Sequence, residues 1–195
     1  VPTDAAKAEL HHYLRQAREA LLWKVDGLSE YDARRPLTPT GTNLLGLVRH
    51  VASVGVGYLG DVLGRPWPEP MPWLDEDAEP NADLWVPADV ARAAVVDFHH
   101  RAWAHADATV EALDLDATGE VPWGPEERRT VTLHLLLVHV IAETNRHAGH
   151  ADIVRELIDG AAGLRATNDN LAPGDAAWWA AHVARVEQAA RTASA

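Results

Sequence analysis

"LLLVHVIAETNRHAGHADIVRELIDG", residues 135–160, is the stretch on which the fold turns. Its apolar residues follow a helical spacing, and Gly160 supplies a stop. The sequence predicts a helix that starts at Thr130 or Thr132 and runs to Asp159. Within it, "ETNRHAGHAD" (143–152) sets a glutamate, an arginine and two histidines into apolar surroundings. Glu143 and His147 are four residues apart, so they lie one turn apart on one face and can reach a common point. His139 and His150 lengthen the stripe. At about 100° per residue, all four positions fall within roughly a quarter of the helix circumference.

Three more long segments have helical periodicity. The first runs from about Thr3 to Asp26, with Leu10, Leu14, Ala17, Leu21 and Val25 at three- and four-residue spacing, and Gly27 ends it; a short helical turn follows at Ser29. The second takes Thr42 as its N-cap and continues through "NLLGLVRHVASVGVGYLGDVLG" (43–64), apolar nearly all round and therefore buried on several sides. The third has Pro87 in its first turn and reaches about Leu113, and a last amphipathic helix spans Asp175 to about Arg191. No segment alternates with period two, so no sheet is expected. The sequence predicts an all-α fold, a four-helix bundle with an additional C-terminal helix, with residues 1–195 forming a single domain.

Composition narrows the function. With 17 Lys+Arg against 29 Asp+Glu the net charge is −12, and no basic run exists to neutralise phosphates or anionic lipid. Nucleic acid and membrane are not expected partners. The chain has no cysteine, which removes disulfides, Cys-ligated zinc and a cysteine nucleophile, and fits a reducing cytoplasm. "VPTDAAKAEL" lacks the layout of a signal peptide, and no apolar run reaches membrane-spanning length. A cytoplasmic location is the expectation.

Metal chemistry needs convergent donors, and one helix commonly gives only two. His50 is the lone histidine of "LLGLVRHVASV", and an imidazole in so apolar a helix needs a partner, because an unpaired buried one is costly. Taken singly, an E-x-x-x-H pair reads as a surface hydrogen bond and His50 as a satisfied core histidine. Taken together on two long helices, they read as a candidate metal site, since facing helices of bundles build such sites in their cores. A polar core network without metal is the alternative.

"NLLGLVRHVASV" followed far downstream by "LLLVHVIAETNRHAGHADIVRELIDG" resembles the DinB-like superfamily of metal-binding helical bundles. The resemblance runs from Leu10 to about Gly160 and is closest to the mycothiol-dependent branch, which includes mycothiol S-transferases and maleylpyruvate isomerase. Many members hold metal with three histidines, one on the second helix and an H-x-x-x-H pair on a later one. Here Glu143 replaces the first histidine of that pair, as in the isomerase branch. The resemblance implies His50, Glu143 and His147 as ligands, and His150 and Arg155 as outer contacts to the site or substrate. It also implies a divalent metal (zinc first, nickel or iron as alternatives), mycothiol or a similar small thiol as co-substrate, a small electrophile as the other partner, and a homodimer. A His₂Glu set leaves a coordination position open, as catalytic zinc requires. His139, one turn from Glu143, is expected to hydrogen-bond a ligating carboxylate. The function expected is metal-dependent thiol S-transfer in detoxification. The alternatives are isomerisation through a reversible thiol adduct and a metal-binding stress-response protein without turnover.

Two Pro-rich connections complete the picture. "RPWPEPMPWLDEDAEPNADLW" (65–85) is too long for a turn, and loops of that length are often functional or mobile. Its Trp67, and Trp123 of "DLDATGEVPWGPEERR" (114–129), are expected to wall a pocket, whereas Trp178 and Trp179 of the last helix are expected in the core. Arg128 and Arg129 are expected to be solvated. "GVGYLG" (55–60) matches G-x-G-x-x-G but sits inside a helix, so its glycines are read as packing devices. His11, His12, His99, His100 and His105 have no acidic partner at ligand spacing and are expected to be partly exposed.

Overall fold

A computed structural model describes residues 2–194. Four long helices form the bundle: α1 (Pro2–Leu22), α3 (Leu44–Leu59), α4 (Arg92–Ala112) and α5 (Leu133–Asp159). A five-residue α2 (Glu30–Arg34) follows α1, and α6 (Ala176–Ala193) follows a long C-terminal connection. α3 is the central element, packing on both α4 and α5, while α5 also packs along α1. The fold is all-α, a helical bundle plus a C-terminal helix, as the periodicity predicted.

Local chemistry explains the boundaries. Ser29 caps α2, its hydroxyl accepting the Asp32 N–H. The cap of the second long helix is Asn43, one residue later than expected; its Oδ1 accepts the Gly46 N–H at 2.8 Å. That helix also stops early, at Leu59, and Asp61–Leu63 tighten into a 3-10 turn ended by Gly64 at φ +71°. The third helix starts at Arg92 rather than at Pro87. Arg34 accounts for the delay, donating to the carbonyls of Val86, Pro87 and Val90. Thr132 caps α5 and Gly160, at φ +79°, ends it, both as predicted.

The core is built from helix faces. Leu14 and Leu21 of α1, Leu45, Val48 and Leu59 of α3, and Leu133, Leu137 and Val140 of α5 are all fully buried. Each such side chain contributes roughly 1.5–3 kcal/mol of burial. Gly55 lies against Trp103, where a Cβ would come within 2.9 Å of the indole, so the G-x-G-x-x-G glycines do include a packing device.

Three expectations need correction. A two-stranded antiparallel hairpin exists, β1 (Thr118–Glu120) with β2 (Thr130–Thr132), in the register Thr118↔Thr132. Strands of three residues are too short to show alternation in sequence. Trp178 and Trp179 are not in the core, and no residue of α6 is buried. The Trp178 ring instead stacks on His182 of its own helix at 5.3 Å. His11 and His99 are buried rather than partly exposed. His11 pairs with Asp107 at 2.6 Å, and the Trp103 indole N–H donates to His99 Nε2 at 3.1 Å. Spacing along one helix could not show the partnership of His11, because Asp107 comes from α4.

Candidate metal centre

α3 and α5 lie side by side with their chains running in opposite directions. The rings of His50 and His147 are 4.7 Å apart, and eight residues further on in one helix and back in the other, Tyr58 and His139 are also 4.7 Å apart. Glu143 falls between these contacts. His147 Nε2 donates to Glu143 Oε1 at 2.9 Å, and His50 Nε2 lies 3.9 Å from the same oxygen. His50, Glu143 and His147 each offer a donor atom, all within 4.8 Å of one another.

His50 has a second partner that the sequence did not reveal. Its Nδ1 donates to Asp83 Oδ2 at 2.5 Å, leaving Nε2 to face Glu143. Asp83 belongs to the long Pro-rich loop, and its arrival is engineered by α3 itself. Asn43 Nδ2 donates to Leu84 O at 3.0 Å. The buried Arg49 donates to the carbonyls of Ala82 and Trp85. Gly46 lets the loop backbone lie on the helix, because a Cβ there would sit 1.9 Å from Leu84 O. The only hint in sequence was a glycine and an arginine one turn or less before His50, which say nothing about their partners.

The electrostatics suit a cation. Burial works against Glu143 ionising, but the bond from His147 and the nearby His50 and Arg146 outweigh it and hold the carboxyl below its usual range. Burial, with His50 alongside, keeps His147 below the ordinary histidine range, though the bond to Glu143 pulls back. An ionised carboxylate and neutral imidazoles are the protonation states that bind metal. The donor set also fits by size: a tetrahedral ion at roughly 2.0–2.1 Å from each donor would space them roughly 3.4 Å apart. The two Nε2-to-Oε1 distances, 2.9 and 3.9 Å, straddle that value. The other nitrogen of His147, Nδ1, is buried without a partner among the described residues.

The remaining candidates divide. His150 packs edge-on against His147 at 5.3 Å, beside the trio. His139 meets Tyr58 and has no described bond to Glu143. Trp123 is largely exposed, its indole N–H reaching Tyr58 Oη at 3.4 Å. Trp67 packs edge-on between Phe98 and His105, on the far side of α3. Arg155 is buried two turns beyond His147 and donates to the carbonyls of Lys24 and Asp26 and to Asp159, tying α5 to the end of α1. Arg129 donates to Gly124 O, and the side chain of Arg128 lies outside the described residues.

Comparison with known proteins bears on this arrangement. The family described as Mycothiol-S-transferase matches residues 9–160. The chain belongs to that family. The match takes in α3, α4, α5, most of α1 and every member of the trio, so the mycothiol-dependent resemblance drawn from the two sequence stretches holds. No curated protein matched the chain. The family's name points to a small thiol, mycothiol, as substrate. Among the described residues, no helix is long and apolar enough to cross a membrane.

Proposed function

We propose that this chain is a metal-dependent S-transferase joining mycothiol, or a similar small thiol, to a small electrophile. The observation that carries the proposal is the convergence of His50, Glu143 and His147 on one point in a chain of the mycothiol-S-transferase family. These three would hold a divalent cation, zinc first among N/O-binding candidates, with nickel or iron compatible. When bound, such a cation supplies the positive charge that lets a thiol lose its proton at neutral pH.

The chain's own residues do the rest. Asp83 fixes the His50 tautomer, so that the lone pair of Nε2 faces the site. Glu143 stays ionised between the two imidazoles and cancels part of the charge. In the reaction the thiol sulfur forms a bond to the electrophilic carbon, the leaving group departs with its electron pair, and the thiol proton passes to solvent. A protein without cysteine thus works with a borrowed sulfur.

Elemental analysis of the protein purified without an affinity tag, alongside His50→Ala, tests this proposal. About one divalent ion per chain is expected, lost in the variant together with thiol transfer to a chlorinated dinitrobenzene. Full transfer activity in a metal-free His50→Ala protein would overturn it.

A further inference from the structure

The His50 face of α3 continues past the trio. Residues 53, 54, 57 and 58 recur at the spacing that keeps them on that face, extending it by roughly 12 Å at 1.5 Å per residue, and Asp61 follows in the 3-10 turn after α3. A cavity of about 460 Å³ opens along this stretch. Asp83, which binds His50, lines one end, and Trp123, against Tyr58, lines the other. The cavity therefore begins where the candidate metal centre ends.

Its walls have a definite chemistry. Val54, Tyr58, Met71, Leu74 and Trp123 make them predominantly apolar, and Leu74 and Trp123 leave 49% and 60% of their surface uncovered. The charged side chains in the lining are two carboxylates, Asp61 and Asp83, and no lysine or arginine is among the described residues that line it. Leu74 is followed in the chain by Asp75, Glu76, Asp77 and Glu79, all exposed, so the segment leaving the cavity wall carries the same sign. Flat apolar surface offers an aromatic or aliphatic ligand contact area, whereas a carboxylate entering here would meet like charge on two sides.

We propose that this cavity receives the electrophile and that Asp61 and Asp83 make it select uncharged apolar electrophiles over carboxylate-bearing ones. The assignment rests on the transferase reading above and sharpens it: substrates of the isomerase kind, which bear carboxylates, are disfavoured. Asp61 is the specificity-determining residue that can be altered without touching His50. Its Oδ1 accepts the Trp67 N–H at 2.9 Å, a bond that asparagine can also accept. With an acceptor kept and the charge removed, discrimination should weaken roughly three- to tenfold, the size of one like-charge contact in a partly solvated site.

The test separates binding from turnover. Titration calorimetry on the metal-loaded protein without thiol compares two unreactive probes, 1,3-dinitrobenzene and 3,5-dinitrobenzoate. Transfer from mycothiol then compares 1-chloro-2,6-dinitrobenzene with 4-chloro-3,5-dinitrobenzoate; in each the C–S bond forms, chloride leaves, and the thiol proton goes to buffer. The neutral probe is expected to bind at least tenfold tighter, to lose affinity in Trp123→Ala, and to lose severalfold of its advantage in Asp61→Asn. If neither probe binds, or the carboxylate binds as well as the neutral one and Asp61→Asn moves nothing, the inference is overturned. Selective binding that responds to Asp61→Asn, in a protein that transfers no thiol, supports the pocket's selectivity while refuting the transferase.

Discussion

His99 should make this protein acid-labile well above the pH at which its carboxylates matter. The ring is buried on α4, accepts one bond from Trp103, and has no described partner at Nδ1. Burial first, then His100 and Arg18 nearby, pushes its pKa from 6.5 down to about 3. A lowered histidine pKa means that the unfolded chain takes up the proton first as pH falls. The stability is therefore complete above pH 6.5 and is lost on descending toward pH 3, by up to about 1.4 kcal/mol per pH unit. Between pH 7.5 and pH 5.0 the loss from this one group amounts to about 2 kcal/mol. Asp107, held at about 2 against burial by His11 and Arg18, contributes only on the acid side of its ordinary 3.8 and stays out of this window. The perturbation is His99→Gln, which retains an acceptor for Trp103 and cannot titrate. Urea unfolding in chelator, at both pH values, removes any contribution from metal. Wild type should lose about 2 kcal/mol more than the variant over the interval. Equal losses would refute the claim that His99 is kept neutral by its surroundings.

Asp83→Asn should keep the bond to His50 but remove its charge, weakening zinc binding by roughly 10–100-fold in a chelator competition while leaving the helical content measured by circular dichroism unchanged. An unaltered affinity would show that His50 needs no carboxylate behind it. Gly46→Ala should drive the Leu84 carbonyl off α3, costing roughly 1–3 kcal/mol in thermal or chemical unfolding, and should weaken zinc binding as well, because Asp83 travels with that loop. Loss of stability without any loss of metal affinity would disconnect the loop from the site.

The fold was legible because helices write themselves locally. The helix starts at Ser29, Thr132 and Asp175 and the stop at Gly160 stand where the residues put them, whereas α1 ends at Leu22 and a 3-10 turn closes at Val25, before the expected stop at Gly27. Glu143 and His147 could be paired from spacing alone, and the apolar setting of His50 marked it as unusual. Where the reading failed, the cause was a partner distant in sequence. His11 finds Asp107, Arg34 holds Val86–Val90 out of the helix, and His50 finds Asp83, across 96, 52–56 and 33 residues. The hairpin escaped notice because six residues carry too little alternation, and α6 misled because an amphipathic stripe predicts a partner without saying whether one is packed there.

From the sequence alone come the helices, the stripe bearing glutamate and histidine, the acidic balance and the missing thiol, since each depends on residue identity or on a repeat of three to four residues. Only the tertiary structure decides that His50 meets that stripe, that a carboxylate from a proline-rich loop stands behind it, and that an apolar cavity with an acidic lining opens beside it. Those facts depend on how α3 and α5 align and on where one loop comes to rest. Helical periodicity is silent on both, because contact between distant segments is fixed by packing in three dimensions.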